Sequence, residues 1–516
     1  MSEVIALTPP MLLATAAAIA VAMWLVARLL RPGTRGPGGA KLPPGPPGYP
    51  IIGNLSQLGS LPHQNLRKLA QRYGPVMSLR LGSVPAIVVS SPHGAEMFLK
   101  THDLVFASRP QTEATKHMAY GSKGLANTPY GSYWRHIRKL CTLELFTNVK
   151  IDSFAPMRKE EIGLLVDSLK KSSADGEVVN VSDKINGLIE DITYRMVIGR
   201  TKYENFDLKS VVEETLRLAG TFNIADFVPL LKPFDPQRMI PKMKKLGKLI
   251  DGILEKIIDE HEEAAQNSKE SGSKPHRDFV DTLLSLKNKT LNPNDKDPHR
   301  IERTNIKAVL FDVAAGTIDT SGAGILWTLS ELLRHPRTLK KLQAEIESLI
   351  GKDRTVEETD LNKLVYLDMV VKESLRLHPV APLLLPHESR EDIVIDGYFI
   401  PKKSRIIVNA HAIGRDPAFW SENSEEFYPE RFEGSSLDIK GHDFQLIPFG
   451  SGRRGCAGMH LGLTTVKIVV SQLVHCFDWE LPGNMAPGEL DMTDKFGLSL
   501  YRATPLKAVP TYRLQI

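Results

Sequence analysis

One cysteine in this sequence sits in surroundings that few folds can accommodate. Cys456 lies in Pro448-Phe449-Gly450-Ser451-Gly452-Arg453-Arg454-Gly455-Cys456-Ala457-Gly458, and an apolar helical pattern opens directly after it, from Gly458 to Phe477. Glycine crowding of this kind marks a backbone that turns tightly or lies flat against another group. A thiolate at a helix N-terminus is favoured by the helix dipole and by backbone N–H groups that have no partner inside the helix. Those N–H groups also tune a thiolate that ligates a metal. Arg454, two residues earlier, brings a cation to the same place, and Phe449 can pack beside the sulfur. A lone cysteine is ordinarily a small buried hydrophobe. Cys141 and Cys476 read that way, because neither has comparable surroundings.

The same loop contains a formal G-x-G-x-x-G at Gly450, Gly452 and Gly455, with Asp478 near the spacing of a ribose-binding acid. That match suggests a dinucleotide-binding oxidoreductase. Only Cys456 to Ile516 remain beyond it, too short for the other strands of a nucleotide-binding fold, and it leaves the two arginines and the cysteine without a role. The reading is disfavoured.

At the other end, Val4 to Ala27 carries no charge, and Arg28, Arg31, Arg35 and Lys41 follow at once. As helix this stretch reaches roughly 36 Å, enough for a hydrocarbon core of about 30 Å. The basic flank follows the apolar run, which favours a retained anchor over a cleaved signal peptide and leaves the body in the cytosol. We therefore expect an anchor over residues 1–30, a semi-rigid proline-rich spacer over 31–50 around Leu42-Pro43-Pro44-Gly45-Pro46, and one catalytic domain over 51–516. A net charge of +5 is too small to argue for nucleic acid, and three widely spaced cysteines form neither a disulfide framework nor a zinc pattern.

Helical periodicity dominates from Ser132 to Ile350, so a mainly α chain with small β-sheets (α+β) is expected. Val76 to Leu81, Ala86 to Val89 and Ile393 to Val408 read as short strands, the last broken by Gly397 and Pro401. Gln266 to His276 and Asn288 to His299 read as polar loops. A long central helix is expected over about Asn305 to Leu333, although Gly316, Thr317 and Thr320 are poor helix formers in its middle. Such a weak point suggests a functional site or a bend. Glu373 and Arg376 share one helix face, as do Trp134 and Arg138.

Phe449, Gly452, Arg454, Cys456 and Gly458 match every fixed position of Phe-x-x-Gly-x-Arg-x-Cys-x-Gly, the haem loop of the cytochrome P-450 family. The chain resembles that family along essentially its whole length. Leu42-Pro43-Pro44-Gly45-Pro46, Tyr130-Gly131-Ser132-Tyr133-Trp134-Arg135 and Phe427-Tyr428-Pro429-Glu430-Arg431-Phe432 are similar to the plant microsomal group of specialised metabolism. The resemblance implies the cytochrome P-450 fold, haem b (iron protoporphyrin IX), and Cys456 as axial ligand of its iron. It implies that Trp134, Arg138, Arg454 and His387 contact the haem propionates, and that Phe449 and Gly458 line the thiolate. Glu373, Arg376 and Arg431 would form a buried ionic triad. Asp319 and Thr320 would deliver protons to bound dioxygen, with Thr317 standing where the family has a second groove glycine.

The implied activity is a monooxygenase acting on a small hydrophobic plant metabolite, phenylpropanoid, flavonoid, biphenyl or terpenoid. A haem-thiolate isomerase or dehydratase that needs no reductase is the alternative. The implied donor of electrons is an NADPH-dependent flavoprotein reductase, met by a basic face of Arg135, Arg138, Lys139 and Arg453, at the endoplasmic reticulum membrane. By the same resemblance the substrate pocket is lined from Ser108 to Leu125, Ala219 to Asp226, Val309 to Ile318, Val380 to Leu385 and Phe496 to Leu500.

Overall fold

The computed structural model describes residues 36–200, 208–271, 278–291 and 298–515. The expected anchor over residues 1–30 lies outside them. The long helix Arg303–Arg334 is the axis of the molecule. Its N-terminus is closed by a reciprocal box, in which the Glu302 backbone N–H donates to Asn305 Oδ1 at 2.8 Å. It ends where Pro336 would remove a helical donor, and Pro336 instead opens the next helix, Pro336–Ile350. Helix Val181–Ile198 packs on one side of it and helix Met459–Cys476 on another. Among the described residues it alone is long and apolar enough to cross a membrane. Here those apolar side chains make the core.

Burial along this helix is uneven, and the unevenness locates the site. Every residue from Ser321 to Leu333 is buried, whereas from Phe311 to Thr320 only Val313 is, and Gly316 is exposed. The axis of the molecule therefore opens onto a cleft halfway along its length. The helix runs through Gly316 without interruption, so the weak formers mark this opening and not a break.

Expected strands join a fourth, unexpected one, His387–Glu388, in a four-stranded sheet in the order Val76–Leu81, Val84–Val89, Arg405–Val408, His387–Glu388. The first and last pairings are antiparallel and the middle one parallel. Ile393–Ile395 and Tyr398–Ile400 form a separate hairpin, turned at Gly397 with φ +79°. Part of the proline-rich stretch is tied to these sheets. The Ser78 backbone N–H donates to Pro44 O at 2.8 Å, and Phe399 N–H to Lys41 O at 2.8 Å. A Cβ on Gly45 would lie 1.9 Å from Ser78 O, so only glycine allows this approach. Residues 41–45 are thus docked on the body and do not act as a free spacer.

Two expected loops differ. Helix Met239–Ser271 continues through Gln266 to Ser271, where Gln266, Lys269 and Glu270 are good helix formers; residues 272–276 of the expected loop lie outside the described residues. Asn288 to His299 includes a short antiparallel pair, Thr290–Leu291 with His299–Arg300.

Candidate functional site

The cysteine loop is held by its own backbone. Cys456 N–H donates to Phe449 O at 2.9 Å, and Gly450 and Gly452 take φ of +70° and +66°, which L side chains rarely adopt. A Cβ on Gly452 would also meet Leu99 O at 2.2 Å. No strand precedes this turn, and helix Met459–Cys476 leads into antiparallel pairing, so Gly450, Gly452 and Gly455 do not form a nucleotide-binding unit. The Cys456 side chain is exposed by surface area, while the protein mass around it desolvates it and raises its pKa. Both follow if the sulfur faces an internal opening. The Gly458 N–H and the Arg138 charge pull the other way, as expected for a thiolate loop, but burial is the larger effect. A metal ion would reverse that balance, since coordination deprotonates a thiol.

Around this loop the fold gathers three arginines and a histidine. Arg454 is buried, donates Nε to Ala107 O at 2.6 Å and Nη2 to Thr128 O at 2.5 Å, and leaves Nη1 without a partner. Its guanidinium lies 3.9 Å over the Trp134 ring. Burial, then the charges of Arg109 and Arg138, push its pKa down to about 8. Arg138 is partly buried and lies close enough to Cys456 and Cys141 to feel both thiols. Arg109 fell within the expected lining segment Ser108 to Leu125, but nothing in the sequence gave it a role of its own. It is buried, donates Nη1 to Leu385 O at 2.5 Å and to Pro386 O at 2.9 Å, and burial pushes it down to about 9. Among the described residues no carboxylate pairs with Arg109, Arg138 or Arg454.

Trp134 and His387 depart from the expected picture. The indole has a single N–H, and Trp134 gives it to Leu125 O at 3.1 Å. In this arrangement Trp134 stacks on Arg454 and presents no donor of its own. His387 is buried with Nδ1 2.8 Å from Phe106 O, so that nitrogen carries the proton and Nε2 is an acceptor in the neutral ring. Burial and then the Arg109 charge hold its pKa well below the ordinary value. Neutral His387 therefore cannot donate to an anion. The expected basic face also shrinks: Arg453 pairs with Asp103 at 2.7 Å and Arg138 turns inward, leaving Arg135 and Lys139 exposed.

Across the cleft the central helix presents hydroxyls and acids. Thr320 Oγ1 donates to Gly316 O at 2.7 Å and Thr317 Oγ1 to Val313 O at 2.8 Å, leaving each oxygen as an acceptor. Asp319 Oδ2 accepts from Ser499 Oγ at 2.5 Å, and burial raises its carboxyl to about 6. Two turns earlier Asp312 Oδ2 accepts the Leu125 and Ala126 N–H groups at 2.6 and 2.9 Å, and burial raises it to about 6 as well. The expected lining segments do touch. Leu500 N–H donates to Val380 O at 2.8 Å, Glu113 N–H to Asp226 Oδ1 at 2.8 Å, and a Cβ on Gly220 would lie 2.7 Å from Leu498 N.

Beneath the site, Glu373 accepts Arg376 Nε and Nη2 at 2.7 and 2.8 Å and Arg431 Nε at 2.8 Å. The remaining Arg376 donors reach Gly414 O and Ser424 O at 2.6 Å and Glu426 O at 2.9 Å. The geometry brings these three residues together, fully hydrogen-bonded. The set near Cys456 suits one group with a thiolate-seeking metal and acidic arms: a thiol, three cations without protein anions, and the unpartnered Arg454 Nη1.

The sequence matches the family model described as Cytochrome P450 over residues 43–504. The chain belongs to the cytochrome P450 family. It is thereby an oxidoreductase of the P450 monooxygenase class, with a haem iron cofactor. It is 59% identical over 474 residues to cytochrome P450 CYP736A12 of Panax ginseng, covering 92% of this chain and 94% of the relative. It is 43% identical over 489 residues to cytochrome P450 750A1 of Pinus taeda, 92% of each chain. It is 43% identical over 484 residues to the flavonoid 3'-monooxygenase of Arabidopsis thaliana, again 92% of each. This P450 is thus similar to plant enzymes along nearly its whole length.

Proposed function

We propose that this P450 hydroxylates a small hydrophobic plant specialised metabolite, phenylpropanoid, flavonoid, biphenyl or terpenoid, using dioxygen and NADPH-derived electrons. The observation that carries the reading is the acid–alcohol pair, Asp319 and Thr320, on the one stretch of the central helix that opens onto the cleft. Relatives named flavonoid 3'-monooxygenase and flavonoid 3',5'-hydroxylase, at 43% and 41% identity, support the substrate class.

Haem b would supply dioxygen activation, with electron density from a thiolate ligand. Cys456 would hold its iron, Arg138, Arg454 and Arg109 would hold its acidic arms, Phe449 and Gly458 would line the sulfur, and Trp134 would keep Arg454 in place. His387 contributes shape unless it is protonated. Glu373, Arg376 and Arg431 brace the loop below. Thr320 accepts a hydrogen bond on the oxygen side, and Asp319 holds and releases a proton there. Residues 1–30 anchor the chain in the endoplasmic reticulum membrane, with a cytosolic catalytic domain over 51–516 that takes electrons from a flavoprotein reductase.

The test is a carbon monoxide difference spectrum followed by reductase- and NADPH-dependent turnover on a compound panel, with product-to-NADPH stoichiometry for Thr320→Ala and Thr317→Ala/Thr320→Ala. Loss of coupling with peroxide release is expected. Full coupling in the double variant removes the groove role, and turnover without reductase points to the isomerase alternative. Asn54, Asn180 and Asn288 each begin an N-x-Ser/Thr sequon, and none should be modified; Asn288 is the exposed one, whereas Asn54 is buried and bonded to Pro46 O and Pro47 O. Asn288 should remain unglycosylated.

A further inference from the structure

We infer that Ser499 is a positioning residue for Asp319: its hydroxyl, carried on the turn of the C-terminal hairpin, fixes where the acid of the cleft points. This rests on the reading of Asp319 as the proton-holding acid given above.

Three observations support it. Ser499 is 2% exposed, and its Oγ donates to Asp319 Oδ2 at 2.5 Å across the boundary between hairpin and central helix. That contact is the one hydrogen bond of the Asp319 side chain among the described residues, and no charged group acts on the carboxyl. Second, the turn carrying Ser499, between strands Asp494–Phe496 and Leu500–Arg502, is pinned on both sides. Leu500 N–H donates to Val380 O and Leu500 O accepts from Trp327 Nε1, each at 2.8 Å, and Trp327 lies on the central helix itself. The serine is therefore held relative to the helix that bears its partner. Third, the neighbouring Leu498 backbone meets Gly220 so closely that a Cβ there would lie at 2.7 Å. The turn is wedged against the end of helix Leu208–Gly220, and Ser499 cannot drift from Asp319 without moving that contact.

Chemically, a hydroxyl donating to a carboxylate stabilises the charged form and restricts its rotation. Burial raises the Asp319 carboxyl and the Ser499 bond opposes that rise. Without the serine, the acid would keep its proton to higher pH and turn freely about its side-chain bonds. The serine transfers no proton; it sets the pH and direction at which Asp319 does.

The measurement is an infrared titration of the protonated Asp319 carboxyl band in the haem-loaded protein, with the band assigned by its loss in Asp319→Asn. Ser499→Ala should move the midpoint upward by about one pH unit or more. Ser499→Thr, which keeps the hydroxyl, should hold it near wild type. Ser499→Cys, close in size with a weaker donor, should shift it part-way and serves where the alanine variant does not fold. The acid limb of the coupling profile should move with the band. A merely structural staple would lower the unfolding temperature and leave the midpoint in place, and an unmoved midpoint overturns the proposal even if Asp319→Asn uncouples turnover. If Asp319→Asn stays fully coupled, the proton-holding reading fails, while the band shift in Ser499→Ala still decides whether the serine positions the carboxyl.

Discussion

Two groups of buried or partly buried arginines solve the problem of burying charge in opposite ways. Arg376 and Arg431 share Glu373 and a ring of backbone carbonyls, so the protein supplies the counter-charge itself. Arg109, Arg138 and Arg454 receive carbonyls at most and no carboxylate among the described residues. The cost shows in Arg109 and Arg454, pushed down to about 9 and about 8 by burial, the latter also by its cationic neighbours. A charge without its partner is costly in a low-dielectric interior. The first group is a finished structural brace. The second has cations that no described carboxylate compensates, which suits the anion of a bound group.

The largest effects should separate fold from chemistry. Cys456→Ala should abolish the thiolate-type carbon monoxide spectrum and all turnover while the circular dichroism of the fold persists. Cys141→Ala and Cys476→Ala, whose thiols burial raises to about 12, should keep the spectrum. Glu373→Gln should fail differently, because two buried cations lose their anion at roughly 3–5 kcal/mol. Little folded protein of any kind is expected. A stable, haem-loaded Glu373→Gln enzyme would break the comparison at its first half.

Arg454→Gln tests the second half. Removing an uncompensated cation relieves repulsion with Arg109 and Arg138 but forfeits two bonds to carbonyls, so haem-free stability should change by no more than about 1 kcal/mol. Haem dissociation should accelerate roughly tenfold or more, since a charge-assisted bond is worth about 1.5–3 kcal/mol. Apomyoglobin capture of released haem measures the rate. Haem-free unfolding as damaged as in Glu373→Gln would mean that the two arginine groups are alike after all.

The contrast also explains what a reader of the sequence sees. The cysteine loop is contiguous, so its glycines, arginine and cysteine declare themselves together, and Glu373 with Arg376 falls on one helix turn. Strands Val76–Leu81 and Arg405–Val408 were legible from apolar runs bounded by turn residues. Arg109, Asp312 and Ser499 fell inside the expected lining segments but had no individual role there, because each acquires its meaning from a partner distant in sequence. Ser499 and Asp319, for instance, are 180 positions apart. Trp134 was expected beside a haem propionate; that its N–H goes to Leu125 O could be seen only in the fold. Periodicity reports which face is apolar; it does not report which carbonyl a polar group will find.

Asp312 joins the cleft to the arginine cluster and carries the smallest expected effect. It holds the Leu125 and Ala126 N–H groups, and the carbonyls of those same residues accept from Trp134 Nε1 and Arg109 Nε. A Cβ on Gly124 would lie 2.2 Å from the Asp312 carboxylate, so the loop is seated tightly on it. Burial raises this carboxyl to about 6 in the folded protein, above about 3.9 in the unfolded chain. The fold therefore disfavours the ionised form. Taking up a proton stabilises the native state as pH falls from about 6 toward about 4, and the penalty is fully present above 6. Asp312→Asn keeps an oxygen that can accept both N–H groups and cannot titrate. Its unfolding temperature should exceed wild type most at pH 7 to 8, by at most about 2–4 °C, and the gap should close on acidification. Subtracting the two melting curves at each pH cancels every other titrating group. A gap that stays constant from pH 8 to pH 4 would mean that Asp312 does not change charge there, and that the loop beside Arg109 is held equally at every pH.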